Sequence, residues 1–207
     1  MPRRVPSLRI DPRTVSPQIH GGQTGLHLDW VVAGERLSAE ACDALIALGR
    51  GFPVEEPTVV GQDVLRAHRV ARVHMLPRVA RTRAVYELLR AVAADATDRH
   101  YRLTITDLTR WPHYVEYHAG RGHFDWHNDY SHEQDESPRK LTVIIQLSDA
   151  DEYEGGQLEV FGAIPSVLPR ARGSIVCMPS FVPHRVTAVT AGVRRVIVAW
   201  IAGPRLV

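Results

Sequence analysis

A mainly β protein with flanking helices is predicted by three features of this 207-residue chain. Leu141, Val143, Ile145 and Leu147 alternate with Thr142, Ile144, Gln146 and Ser148, and Arg194, Val196, Val198 and Trp200 alternate with Arg195, Ile197, Ala199 and Ile201. A period of two is that of a β-strand, and the apolar residues on both faces predict strands covered on both sides. Residues 82–97 instead repeat their apolar positions at helical spacing. Gly155-Gly156 and the Pro/Gly punctuation near 162–173 supply the turns that two packed antiparallel sheets require.

Taken in chain order, residues 1–24 hold four Arg, the prolines Pro2, Pro6, Pro12 and Pro17, and a Gly21-Gly22 pair, which predicts an extended or mobile arm. Residues 25–207 then form a single domain, with helical support over 25–102 and a barrel core over 103–207. Ser38 is placed as an N-cap, Glu40 puts an acid in the first turn, and Ala41, Leu45 and Leu48 share one side, so a helix runs to about residue 49 and stops at Gly51. In the second helix Val85, Leu88, Leu89, Val92 and Ala96 form one face, with Arg83, Glu87 and Arg90 opposite. Both helices are expected to pack on the outside of a sheet. No internal repeat is visible.

Composition fits one substantial core: 44% of the residues are hydrophobic and the formal charge is only +2. Among 25 basic residues Lys140 is the single lysine, a bias that speaks for a GC-rich coding genome rather than a phosphate-binding patch, so no nucleic-acid partner is expected. Cys42 and Cys177 are too few for a disulfide framework and stand far from the histidine-rich stretch, so both read as reduced thiols. The chain opens Met-Pro-Arg-Arg without the apolar stretch of a signal peptide, and no run is long and apolar enough for a membrane span. A cytoplasmic protein with no membrane partner is the expectation; the oligomeric state is not legible.

The chemistry is concentrated in two strings, His127-Asn128-Asp129 and His184 with Arg194 ten residues on. Two imidazoles and a carboxylate bind one face of an octahedral Fe(II) and leave three positions for a co-substrate and O2. On a strand, residues i and i+2 point the same way, so a His-x-Asp pair converges on one ion. A second pair, His123 and Asp125, overlaps the first, and parity alone leaves both open because 123, 125, 127 and 129 share one face of an uninterrupted strand. Arg194 and Arg195 likewise lie on opposite faces of the last strand, and only one of them can point into a barrel.

Around these residues the chain reads Tyr117-His-Ala-Gly120, then His123-Phe-Asp-Trp-His127-Asn-Asp129, Tyr153-Glu-Gly-Gly-Gln-Leu158, and Phe181-Val-Pro-His184 through Gly192-Val-Arg194 to Trp200. This resembles the 2-oxoglutarate/Fe(II) dioxygenases of the prolyl 4-hydroxylase type, over residues 113–203 and more loosely over the helix at 38–50. The resemblance implies a double-stranded β-helix core, that is, a jelly roll of cupin-like kind. It implies His127, Asp129 and His184 as iron ligands, Arg194 as the salt-bridge partner of the far carboxylate of 2-oxoglutarate, and Tyr117 as a hydrogen bonder to that carboxylate. It favours the pair at 127 and 129, leaving His123 and Asp125 at the entrance or surface, and Arg194 over Arg195.

The implied cofactors are Fe(II), the co-substrate 2-oxoglutarate and O2, with ascorbate as an optional stimulant. The implied activity is hydroxylation of an unactivated C–H with release of succinate and CO2. The substrate class spans free amino acids, peptidyl residues such as proline, and natural products. Asp129 argues against the halogenating relatives, which need that coordination position vacant. Trp111, Phe124 and Trp126 are candidates to stack on a ring, and the polar stretch 130–139 is a candidate loop beside the metal. Two other classes share parts of this pattern: a cupin-type metalloenzyme without 2-oxoglutarate, which would not need Arg194 or Tyr117, and a non-catalytic metal-binding barrel, which would show a broken ligand set.

Overall fold

The computed structural model describes residues 31–33, 37–55, 68–130, 138–161 and 166–204. The predicted arm at 1–24, most of the stretch 130–139, and residues 162–165 of the predicted turn region lie outside these residues. Thirteen strands are present among the described residues: β1 (Val31–Ala33), β2 (Val54–Glu55), β3 (Arg69–Val70), β4 (Arg72–Met75), β5 (His113–His118), β6 (His123–His127), β7 (Arg139–Gln146), β8 (Tyr153–Gly155), β9 (Leu158–Val160), β10 (Ser166–Val167), β11 (Ile175–Pro179), β12 (His184–Val186) and β13 (Val189–Ala202). The α-helices α1 (Ala39–Arg50) and α2 (Arg83–Ala96) precede β5, with a 3-10 turn at Ala80–Thr82 and a π-helical turn at Thr97–Tyr101.

The strands form two antiparallel sheets. The larger has the order β1-β11-β7-β13-β5-β4-β2, with β8 also paired to β13, and the smaller has the order β10-β9-β12-β6-β3. Strand neighbours far apart in sequence, with the two sheets face to face, make this the expected jelly roll. Strands β1 to β4 were not anticipated: the region read as helical support contributes to both sheets. They are too short, at two to four residues, for alternation to show.

Alternation on β7 and β13 sorts the core into two layers. Leu141, Val143, Ile145, Ile197, Ala199 and Ile201 meet the helices, together with Leu45, Val85, Leu89 and Ala93. Ile144, Val196 and Val198 face the smaller sheet, with Leu158, Val160 and Val186. Helix α1 begins as predicted, with the Ser38 hydroxyl accepting from the Ala41 N–H at 3.2 Å, and ends at Gly51, whose N–H donates to the carbonyls of Ala47 and Leu48. Its buried side is Cys42, Leu45 and Gly49. Gly49 is glycine for a packing reason, since a Cβ there would lie 2.2 Å from Cγ of Tyr114 on β5. The helix can therefore approach the sheet closely.

Candidate active site

The smaller sheet supplies the histidines. His127 on β6 pairs with His184 on β12, and the next pair in the ladder is Phe124 with Val186. Two residues of β6, Asp125 and Trp126, thus stand opposite the single residue Arg185. This β-bulge corrects the parity expected from sequence. His123, Asp125, His127 and Asp129 do not share a face: Phe124 takes the inward place two ladder positions from His127, and Asp125 is exposed. The Phe124 ring stacks on His127 with centroids 3.5 Å apart. The bulge, rather than the family frame alone, separates the two overlapping His-x-Asp pairs.

Asp129 lies just past β6 and is drawn inward by the larger sheet. Its N–H donates to the Ser180 carbonyl at 2.8 Å, and its carboxylate accepts from the Thr142 hydroxyl on β7 at 2.8 Å. The Thr142 and Ser180 hydroxyls are themselves 3.1 Å apart. Sequence reasoning missed both residues, since a strand Thr and a loop Ser carry no spacing signal.

The candidate ligand atoms of His127, Asp129 and His184 all lie within 4.8 Å of one another. Nε2 of His127 is 3.8 Å from Oδ1 of Asp129, and Nε2 of His184 is 3.4 Å from Oδ2. Each imidazole turns its other nitrogen to the backbone: Nδ1 of His127 is 2.7 Å from the Asp125 carbonyl, and Nδ1 of His184 is 3.0 Å from that of Val182. A carbonyl there requires Nδ1–H, which leaves Nε2 with its lone pair toward the cluster, the tautomer a metal ligand needs. Burial, reinforced by the neighbouring His184, holds the His127 imidazole down to about 4, so it is neutral near pH 7.

The cluster opens on a cavity walled by Ile144, Leu158, Val186 and Val196 and reaching Tyr117 and Arg194. Tyr117 and Arg194 are opposite each other in the β5–β13 ladder, with the guanidinium 5.7 Å from the ring centroid. Both side chains are 3% exposed. Among the described residues neither the Arg194 guanidinium nor the Tyr117 hydroxyl has an ion-pair or hydrogen-bond partner, although both face the cavity. Arg195 points the other way, toward Glu116 and Glu152. A buried, unpaired guanidinium is costly unless an anion joins it, so the cavity suits a carboxylate at the end away from the three ligands.

Of the aromatic candidates, Phe124 lines the cavity. Trp126 packs against Phe161 and Arg185 on the outside of the smaller sheet, and Trp111 is half exposed. Trp200 lines the cavity and was noted only as a landmark. Two more features escaped the sequence: Arg69, which reaches the cavity from the short strand β3, and His113, buried against Trp200 with centroids 4.8 Å apart.

Comparison with known proteins agrees with this architecture. Residues 112–202 match the model of the 2OG-Fe(II) oxygenase superfamily. The chain is 42% identical over 62 residues to a PKHD-type hydroxylase of Caulobacter sp. (strain K31), a stretch covering 30% of this chain and 27% of that protein. It is 45% identical over 64 residues to one of Hyphomonas neptunium, covering 30% and 28%. The matched stretches thus span little more than a quarter of these curated relatives. In fold, the chain is similar to a Pseudomonas putida prolyl-4-hydroxylase, with TM-score 0.67, 19% identity and 85% and 93% of the two chains covered. It is similar also to a Trichoplax adhaerens prolyl hydroxylase in complex with a hypoxia inducible factor peptide fragment, with TM-score 0.66, 15% identity and 84% and 83% covered. Fold and family model converge: residues 112–202 match the 2OG-Fe(II) oxygenase superfamily, and they lie on a jelly roll similar in fold to the prolyl 4-hydroxylase structures.

Proposed function

We propose that this chain is an Fe(II)- and 2-oxoglutarate-dependent hydroxylase acting on a small-molecule or peptide C–H, with release of succinate and CO2. The observation that carries the reading is Arg194: a buried cation with no ion-pair or hydrogen-bond partner among the described residues, in the same cavity as a His-Asp-His cluster. His127, Asp129 and His184 would hold the iron, which when bound supplies activation of O2. Arg194 and the Tyr117 hydroxyl would bind the far carboxylate of 2-oxoglutarate, and Ile144, Leu158, Val186 and Val196 would exclude water from it. Thr142 and Ser180 orient Asp129, and the two backbone carbonyls fix the imidazoles.

The relatives' description as PKHD-type hydroxylases and the peptide held by the Trichoplax neighbour support a hydroxylated amino acid or peptidyl residue as the outcome. Residues 25–207 are read as one domain, since β1 to β4 join the sheets built by the later strands. No helix among the described residues is long and apolar enough to cross a membrane. A reducing cytoplasm suits the two free, buried thiols.

Anaerobic titration with Fe(II) and then 2-oxoglutarate tests the reading. A weak visible charge-transfer band should appear only when both are present. Stoichiometric iron without the band would favour the cupin-type enzyme that does not use 2-oxoglutarate.

A further inference from the structure

We infer that Arg69 is the binding site for a carboxylate of the substrate, so that the substrate is a free acid, an amino acid or another short carboxylic acid, rather than an internal residue of a peptide. The inference rests on the oxygenase reading and concerns the other side of the same cavity. Arg69 pairs with Phe124 in the β3–β6 ladder and lines the cavity. Its guanidinium lies 4.8 Å from the centroid of Phe124, whose ring stacks on His127. One aromatic ring thus separates this cation from a candidate iron ligand.

Two other arginines on these sheets have acids: Arg185 pairs with Glu159, and Arg195 with Glu116 and Glu152. Arg69 has no ion pair among the described residues, and its Nε is buried without a hydrogen-bond partner. Among the described residues the cavity therefore presents two guanidinium groups without a carboxylate, Arg194 and Arg69. One molecule of 2-oxoglutarate would satisfy only Arg194. A carboxylate carried by the substrate would answer Arg69. A guanidinium binds a carboxylate through two parallel charge-assisted hydrogen bonds, which a single peptide carbonyl cannot reproduce. Phe124, Trp200 and Val198 supply the apolar walls for the carbon skeleton beside it.

The test is equilibrium binding to the protein loaded anaerobically with Fe(II) and saturating 2-oxoglutarate, so that no turnover intervenes. The probes are the free L-amino acids and a set of short aliphatic and aromatic carboxylic acids, each beside its carboxamide, followed by intrinsic tryptophan fluorescence and by calorimetry. At least one free acid should bind ten-fold or more tightly than its carboxamide. Arg69→Gln should abolish that preference while keeping iron and 2-oxoglutarate stoichiometric, and Arg69→Lys should recover part of it. The inference is overturned if no acid outbinds its carboxamide, or if the preference survives in Arg69→Gln. Loss of 2-oxoglutarate binding in the unsubstituted protein, measured before any acid is added, would instead overturn the oxygenase reading.

Discussion

The Thr142 hydroxyl donates a 2.8 Å hydrogen bond to Oδ2 of Asp129, tying a carboxylate from the end of the smaller sheet to the centre of the larger one. The imidazoles are oriented by carbonyls two residues away in their own segments, whereas the carboxylate depends on Thr142 and Ser180, far along the chain. Thr142→Val keeps the side chain's shape and removes the donor. Iron affinity should fall about 10- to 100-fold, the usual range for losing an outer hydrogen bond to a ligand. Titration against a competing chelator reads this, and an unchanged affinity would show that Asp129 holds its place without Thr142.

Arg194→Ala should weaken 2-oxoglutarate binding by about 2 to 4 kcal/mol, the scale for removing one member of a buried charge pair. Arg195→Ala should leave that affinity nearly unchanged and act on folding stability, because its partners are Glu116 and Glu152. Calorimetric titration of the two variants separates the faces of β13, and equal losses would reject the assignment.

His127→Ala and Asp129→Ala should each abolish tight Fe(II) binding and uncoupled succinate formation, while His123→Ala and Asp125→Ala keep stoichiometric iron. The bulge gives the reason, since it turns Phe124 rather than His123 toward the cavity. Metal analysis of the four purified variants decides it, without knowledge of the substrate.

His113 predicts a pH dependence. Burial lowers its imidazole from 6.5 to about 4, and neither ring nitrogen has a hydrogen-bond partner among the described residues. The unfolded chain takes up this proton below about 6.5 and the folded one only below about 4, so stability falls as pH drops across that window, by about 2 to 3 kcal/mol for this group. His113→Phe keeps the edge contact with Trp200 and should flatten the dependence, with equal or greater stability at pH 7. Urea unfolding of the metal-free protein at pH 7, 5.5 and 4.5 checks it, and unchanged acid sensitivity in the variant would assign the effect elsewhere.

Long, regular elements were legible in the sequence because their periods repeat: β7, β13, α1 and α2 appear where alternation or helical spacing places them. The cluster of His127, Asp129 and His184, and Arg194 on the same cavity, were legible because a metal and a carboxylate would fix residue type and spacing together. Strands β1 to β4 were not, since pairing with longer strands, rather than their own pattern, makes them strands. The bulge at Asp125 and Trp126 left no mark either, being a property of the pairing with Arg185. Thr142, Ser180 and Arg69 reach the site by tertiary contact, which no local pattern reports.

The surplus residue in β6 also determines where this chain can change length. With Asp125 and Trp126 opposite Arg185 alone, β6 holds one residue more than an unbroken ladder requires. Deleting either one would restore regular pairing and still leave Phe124 and His127 on the same side. On β13 the strand runs without a shift from Arg194 to Val198 against β5, and a one-residue deletion there would turn every later side chain to the opposite face. Insertions and deletions should thus be tolerated unevenly, with the bulge as a reservoir of slack beside the ligands and β13 as the ruler against which the cavity is measured.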